Sequence, residues 1–265
     1  MHRCLQLSSL RALFAALALS AVILTFAGSG AAAAGGVFMG GDSLVWQTCD
    51  GTLQRFPPGA PQILRDMDGG CHGWSGATTA EFNYEIQGGR FFSNGTGQPH
   101  PRFAGRGHQD QWSVREAMDR AAVIIIGLGT NDSHRERYVG LDSPWPIQTG
   151  PGQVPGHVSP AQMAANIDYI VWLANGRPVF WYDVAVPTTD PLTAQRVQAI
   201  NDQIWQAQAR HPNYRVLPWS TKVREEPALL RPHDVRMTDR GRDVRWALAA
   251  DAVRQAIQGP NRSGA

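Results

Sequence analysis

What this sequence lacks first is an imbalance of charge: 24 Lys plus Arg stand against 22 Asp plus Glu. Two of those bases, Arg3 and Arg11, lie in the first 34 residues, which hold no acid, so the remainder carries 22 of each sign. A chain this neutral has no electrostatic hold on a polyanion, and a nucleic-acid partner is not indicated. Lysine is nearly missing, with Lys222 alone, and the accompanying bias to Arg, Ala and Gly describes a GC-rich coding genome more than any substrate. No repeat period and no second block of composition interrupts the chain after residue 34. Roughly 230 residues of that kind suit one α/β domain, expected over 35–258, with 259–265 as a flexible C-terminal tail.

The N-terminus has the order of a secretory signal: a head with Arg3 and Arg11, an apolar run from Ala12 to Ala27, then small residues from Gly28 to Gly36. The apolar run is shorter than the ~20 residues a spanning helix needs, and cleavage is expected around Ala32 to Ala34, making 1–34 a signal peptide. An uncleaved membrane tether is the other reading, because the first strand follows almost at once. Cysteine is scarce as well, with three residues, of which Cys4 lies in the signal. Cys49 and Cys71 are then an even pair in an oxidising compartment, which predicts a Cys49–Cys71 disulfide. Two thiols with His72 alone nearby fall one ligand short of a structural zinc site, so no metal and no cofactor is expected.

Short apolar runs read as strands at Val37–Met39, Ala121–Gly127, Pro178–Val184 and Tyr214–Pro218, with Ile63–Arg65 as a weaker candidate. Their apolarity is continuous, which predicts burial on both faces. Between and after them, Ser113–Arg120, Ser159–Asn175, Asp190–His211 and Thr238–Ile257 carry apolar residues at helical spacing. Ser159 is a natural N-cap, Pro160 suits the first helical position, and Gly176 follows the end. Alternating β and α predict a three-layer α/β/α domain on a parallel sheet. The Gly/Pro-rich stretches Gly88–Gln109 and Gly140–Val158 read as loops that either contact substrate or merely cover the sheet ends.

The chemistry begins where the first strand runs straight into Gly41-Asp42-Ser43-Leu44. Glycines there permit a tight strand-to-helix turn that lifts Ser43 to the carboxyl edge of the sheet, where open α/β sheets bind ligands. A second polar element, Gly129-Thr130-Asn131-Asp132, follows the strand Ala121–Gly127. In these blocks, and in Ser75-Gly76-Ala77-Thr78 between them, the chain resembles the SGNH (GDSL-type) hydrolase family from Val37 to Ile257. The resemblance implies a flavodoxin-like parallel sheet of about five strands and an exported serine esterase that uses neither metal nor nucleotide. It makes Ser43 the nucleophile, and makes the backbone N–H groups of Ser43 and Gly76 and the Asn131 amide an oxyanion hole. Asp42 and Asp132 are expected to hold turns by accepting backbone N–H bonds.

The family's last block, Asp-x-x-His before a Thr and a Gly, departs here to His233-Asp234-Val235-Arg236, followed by Thr238 and Gly241. The histidine position holds Arg236, whose guanidinium stays protonated and cannot take the Ser43 proton. Three readings stay open. His233 serves as a displaced base; the site is catalytically silent and Arg236 binds an anionic group; or His134 or His157 supplies the base from a loop. Substrate is expected to be a small-molecule or carbohydrate ester, with acyl transfer to or from cell-envelope carbohydrate as the neighbouring activity, and the protein to be secreted or cell-envelope associated. Trp46 and Trp74 flank the site blocks, while Trp172, Trp181, Trp205 and Trp246 are assigned to core packing.

Overall fold

A computed structural model of the chain describes residues 35–49, 55–65, 70–73, 76–86, 114–134 and 158–258. Residues 1–34, expected to be a signal peptide, residues 259–265, expected to be a tail, Trp74, His157 and nearly all of both long loops lie outside these. Five strands form one sheet: β1 (Gly36–Gly41), β2 (Cys71–Gly73), β3 (Ala121–Gly127), β4 (Val179–Tyr182) and β5 (Tyr214–Leu217), in the order β2-β1-β3-β4-β5. Every pairing is parallel, and β1 lies in register with β3 up to the pair Gly41 and Gly127. The chain leaves β1 toward one edge and returns to β3 on its other side, so the strand order reverses between the carboxyl ends of β1 and β3. That crevice is where doubly wound sheets bind ligands.

The apolar runs become strands because both sides of each are covered. Ile124 and Ile126 of β3, with Phe38 and Trp181, point into one layer. That layer is built by α3 (Thr79–Ile86), α4 (Val114–Arg120), α6 (Pro160–Leu173) and α7 (Pro191–Arg210). Val123 and Ile125, with Met39, Phe180 and Tyr182, point into the opposite layer. There α1 (Ser43–Thr48), α2 (Gln62–Arg65), α8 (Trp219–Glu225) and α9 (Asp239–Gln258) meet them, while α5 (Thr130–His134) is the short turn after β3. The long helices start as their sequences direct. Ser159 Oγ accepts the Gln162 N–H at 3.2 Å and Asp190 Oδ2 accepts the Thr193 N–H at 3.1 Å, each with proline in the first turn.

Three expectations are corrected. Ile63–Arg65 is not a strand: with Pro61 ahead of it, the segment turns once as α2, the Pro61 carbonyl taking the Leu64 N–H at 2.9 Å. Leu64 is the one fully buried residue of that turn, packed with Trp246 and its neighbours, so there is no second face to bury as a strand would. The second strand is Cys71–Gly73, too short and too polar to stand out. Trp172, assigned to the core, is instead 72% exposed and stacks on Tyr169 at 5.9 Å. Met163, Ile167 and Ile170 form the buried stripe of α6, and two residues beyond Ile170 a helix has turned about 200°. Trp205 is likewise half out, with Nε1 donating to Asp183 at 3.2 Å, whereas Trp181 and Trp246 are buried.

Cys49 and Cys71 are joined, their Cα atoms 5.5 Å apart, which ties the end of α1 to the start of β2. A cross-link closing 22 residues stabilises by roughly 3 kcal/mol in the chain-entropy account. Reduction, or the Cys49→Ser/Cys71→Ser pair, is therefore expected to lower Tm by roughly 6–12 °C for a domain of this size. Scanning calorimetry with and without reductant checks this, and an unchanged Tm with both thiols open to maleimide contradicts the cross-link. Among the described residues no helix is long and apolar enough to cross a membrane.

Candidate active site

At the end of β1 the chain stays laced to β3, because the Asp42 N–H donates to the Gly127 carbonyl at 3.1 Å. Asp42 Oδ1 then accepts the Leu44 N–H at 2.8 Å, and this cap starts α1 at Ser43. The first N–H groups of a helix have no partner within it, so the turn that carries Ser43 also points donors toward the sheet edge. Asp42 is fully buried. Burial pushes its carboxyl up to about 6, against the opposing pull of the Arg245 charge and of hydrogen bonds from Leu44, Thr130 and Val45.

The second and third blocks meet this turn. Asn131 Nδ2 donates to the Ala77 carbonyl at 3.0 Å and lies 3.4 Å from Asp42 Oδ2. One amide therefore touches the residue after Gly76 and the residue before Ser43. Asp132, buried beside it, accepts the Thr79 N–H at 3.0 Å and the Thr79 hydroxyl at 2.6 Å, and Asn166 Nδ2 donates to that hydroxyl at 2.8 Å. Asp132 thus fastens the start of α3 to α5. Gly76, just before this anchored segment, has φ +82°, a conformation that glycine adopts without cost. Both aspartates hold turns, as expected, and the turn at Thr79 that Asp132 holds lies 53 residues away.

The last block lies along α1. Ser43 and Gln47 are four residues apart, hence neighbours on one helix face, and Gln47 Oε1 accepts the Met237 N–H at 3.1 Å. Met237, at the end of the segment His233–Met237, is thereby held against α1 one turn from Ser43. Within that segment, the Asp234 carboxylate takes the Arg236 N–H at 2.9 Å and the Arg236 Nε–H. Burial alone would raise the Asp234 carboxyl, but these bonds and the Arg236 charge outweigh it and hold the group below the usual carboxylate range. His233 is exposed and sits at φ +58°, in the left-handed region that costs a non-glycine residue about 1 kcal/mol or more. His134 ends α5, while its side chain and all of His157 lie outside the described residues.

No family model and no curated protein matches the chain. Solved structures do. A lipase/acylhydrolase from Enterococcus faecalis superposes with a TM-score of 0.51 at 13% identity, over 84% of this chain and 100% of that one. A GDSL-like lipase from Bacteroides thetaiotaomicron gives 0.52 at 16% identity, over 83% of this chain and 88% of that one. The fold is that of the SGNH hydrolases. The crevice at the carboxyl ends of β1 and β3, where doubly wound sheets bind ligands, holds Ser43, the Gly76–Ala77 segment and Asn131.

Three further residues at this edge escaped the sequence reading. Gln47 is one, ordinary as a sequence letter and decisive only once Met237 is opposite it. Asp183, following β4, is buried and accepts the Ser220 N–H at 2.6 Å and hydroxyl at 2.7 Å, acting as an external cap for α8, while burial raises its carboxyl. Arg245 is 1% exposed in the middle of α9. Its signal was present: Gly241, Arg245 and Ala249 share one buried stripe at four-residue spacing, and a charge in such a stripe is unusual.

Proposed function

We propose that the protein is an exported serine hydrolase that cleaves a carboxylic ester through an acyl-enzyme on Ser43. The observation that carries this reading is the position of Asn131, one amide in reach of both the Gly76–Ala77 segment and the Asp42–Ser43 turn. Ser43 Oγ attacks the ester carbonyl carbon while His233 takes its proton. The negative charge that develops on the carbonyl oxygen is met by the N–H groups of Ser43 and Gly76 and by the Asn131 amide. The 3.4 Å contact of that amide with Asp42 is long for a hydrogen bond, so little is lost when a substrate oxyanion takes it over. Collapse of the intermediate expels the alcohol, which takes the proton back from His233. A water molecule, deprotonated by the same imidazole, then releases the acid and restores the serine hydroxyl.

Arg236 favours catalysis over the silent anion-binding reading, because the Asp234 carboxylate already takes its Nε–H and sets a negative charge beside the guanidinium. Asp234 is for the same reason not the partner of His233, so the base acts in a Ser–His dyad. The cross-link Cys49–Cys71 supports an oxidising compartment, and with it removal of residues 1–34 and release of the 35–258 domain. Steady-state hydrolysis of a short-chain p-nitrophenyl ester tests the reading. Wild type turns over, and Asn131→Ala loses about 10²–10³-fold in kcat, the usual cost of one oxyanion donor. Absence of turnover by wild type across a series of acyl lengths contradicts it.

A further inference from the structure

Arg245 is a buried cation that the mechanism above does not use. Its guanidinium carbon lies 4.0 Å from the centre of the Tyr182 ring and 5.7 Å from that of Trp219. Its Nη2 reaches under the sheet edge so closely that a Cβ on Gly127 would stand 2.5 Å from it. Gly127 is the residue paired with Gly41, and its carbonyl holds the Asp42 N–H. The charge therefore sits directly beneath the turn that presents Ser43. Its Nε has no hydrogen-bond partner, and burial of the guanidinium lowers its proton affinity, offset by Tyr182, Asp42 and Asp183. Burying a charge on these terms is unfavourable unless it serves another group.

The group it serves is Asp42. From α1 the Leu44 and Val45 N–H groups face this carboxylate, from α5 the Thr130 hydroxyl and Asn131 amide, and from α9 the Arg245 charge. Around Arg245 the other titratable groups are Tyr182, the last residue of β4, and Asp183 just after it. We propose that Arg245 is a positioning residue for the ester-cleaving site: its guanidinium neutralises Asp42, and the ionised Asp42 in turn fixes the start of α1 and the Asn131 amide. Asp42 Oδ1 is the cap of the helix that begins at Ser43, and Oδ2 faces Asn131 Nδ2, so one carboxylate aligns nucleophile and oxyanion donor. Protonated, it would cap less strongly and compete differently for the amide.

This proposal rests on the ester-cleaving reading, and its test separates the two. The first arm needs no activity: urea unfolding from about pH 5 to about pH 8 for wild type, Arg245→Met and Arg245→Lys, each with and without Asp42→Asn. The folded Asp42 value is raised, so the stability tied to its neutral form is present at low pH and lost as pH rises through about 6. Without the Arg245 charge the folded value rises further, and Arg245→Met loses stability over a window extending about one pH unit higher. Arg245→Lys keeps the wild-type curve, and in the Asp42→Asn background the Met substitution changes no slope. If Arg245→Met does not fold at neutral pH, the Arg245→Met/Asp42→Asn double variant does. The second arm is the pH dependence of kcat. Arg245→Met moves the acidic limb up by about one unit and lowers kcat roughly ten-fold near neutrality, with KM within about two-fold, and Arg245→Lys restores both. Parallel unfolding curves for wild type and Arg245→Met, the same shift in the Asp42→Asn background, a double variant that fails to fold, or a kcat limb that stays in place each overturn the proposal. Absence of turnover by wild type overturns the ester reading instead, whatever the unfolding series gives.

Discussion

Replacing Ser43 by alanine is expected to lower kcat for a p-nitrophenyl ester by at least about 10³-fold while leaving Tm within a few degrees, since a nucleophile has no substitute in covalent catalysis. The stability half of that expectation comes from the turn itself. What holds it is the Asp42 N–H on Gly127 O, the Asp42 Oδ1 cap on Leu44 and the burial of Leu44 and Val45, and none of these uses the serine hydroxyl. A site that keeps its oxyanion donors without a nucleophile retains a small residual rate, so the remaining activity is expected to be low and measurable. Circular dichroism melts beside steady-state kinetics check both halves. Full activity in Ser43→Ala removes the nucleophile assignment.

His233→Ala carries the second large effect, a fall of about 10²–10⁴-fold in kcat, the range that general-base removal spans. The residue is exposed and held at φ +58°, so its backbone conformation is maintained at some cost by the loop around it. That loop is fixed at several points: the Arg231 N–H donates to the Arg236 carbonyl at 2.8 Å, the Asp234 N–H to the Arg231 carbonyl at 3.1 Å, and the Met237 N–H to Gln47. Arg236→Ala, by contrast, removes a guanidinium already committed to Asp234 and is expected to change kcat by less than about ten-fold, the ordinary range for an exposed ion pair near a site. Added imidazole should restore part of the rate to His233→Ala and none to Ser43→Ala. If His233→Ala keeps its rate within about three-fold, the base lies elsewhere and the dyad is wrong.

How far the sequence could be read depends on what each element needed. β1, β3 and β4 stood out because strands covered on both faces must be apolar at every position, and Val37–Met39, Ala121–Gly127 and Val179–Tyr182 are. The helices α6 and α7 stood out through their caps and prolines. β2 did not, since Cys71-His72-Gly73 owes its strand geometry to pairing with Met39–Gly41 and to the cross-link from Cys49, and neither is a local property. Ile63–Arg65 looked like a strand because three residues are too few to separate a period of two from one of 3.6. Trp172 was misplaced because hydrophobicity alone says nothing of which side of a helix a residue occupies.

The site shows the same division. Ser43, Gly76 and Asn131 were legible as short motifs following strands, and their convergence was an inference that Asn131 Nδ2 on Ala77 O and beside Asp42 now supports with distances. Asp132 was read as a turn holder, yet its partner Thr79 is reached only by packing α3 on α5. Arg245 and Gln47 act across gaps of about 200 residues along the chain, on Asp42 and Met237 respectively, and no window of sequence contains both partners. Long-range electrostatics inside a buried edge is what motif reading leaves out.

The acyl-enzyme is the species on which the account turns. Mixing the protein with excess p-nitrophenyl acetate, quenching in acid during turnover and mapping the peptides by mass spectrometry tests it directly. The account predicts one acetyl group, located on Ser43, formed with a burst of p-nitrophenol and absent from Ser43→Ala. Acetyl on another side chain, or steady turnover with no covalent species in wild type and an equal rate in Ser43→Ala, would contradict it.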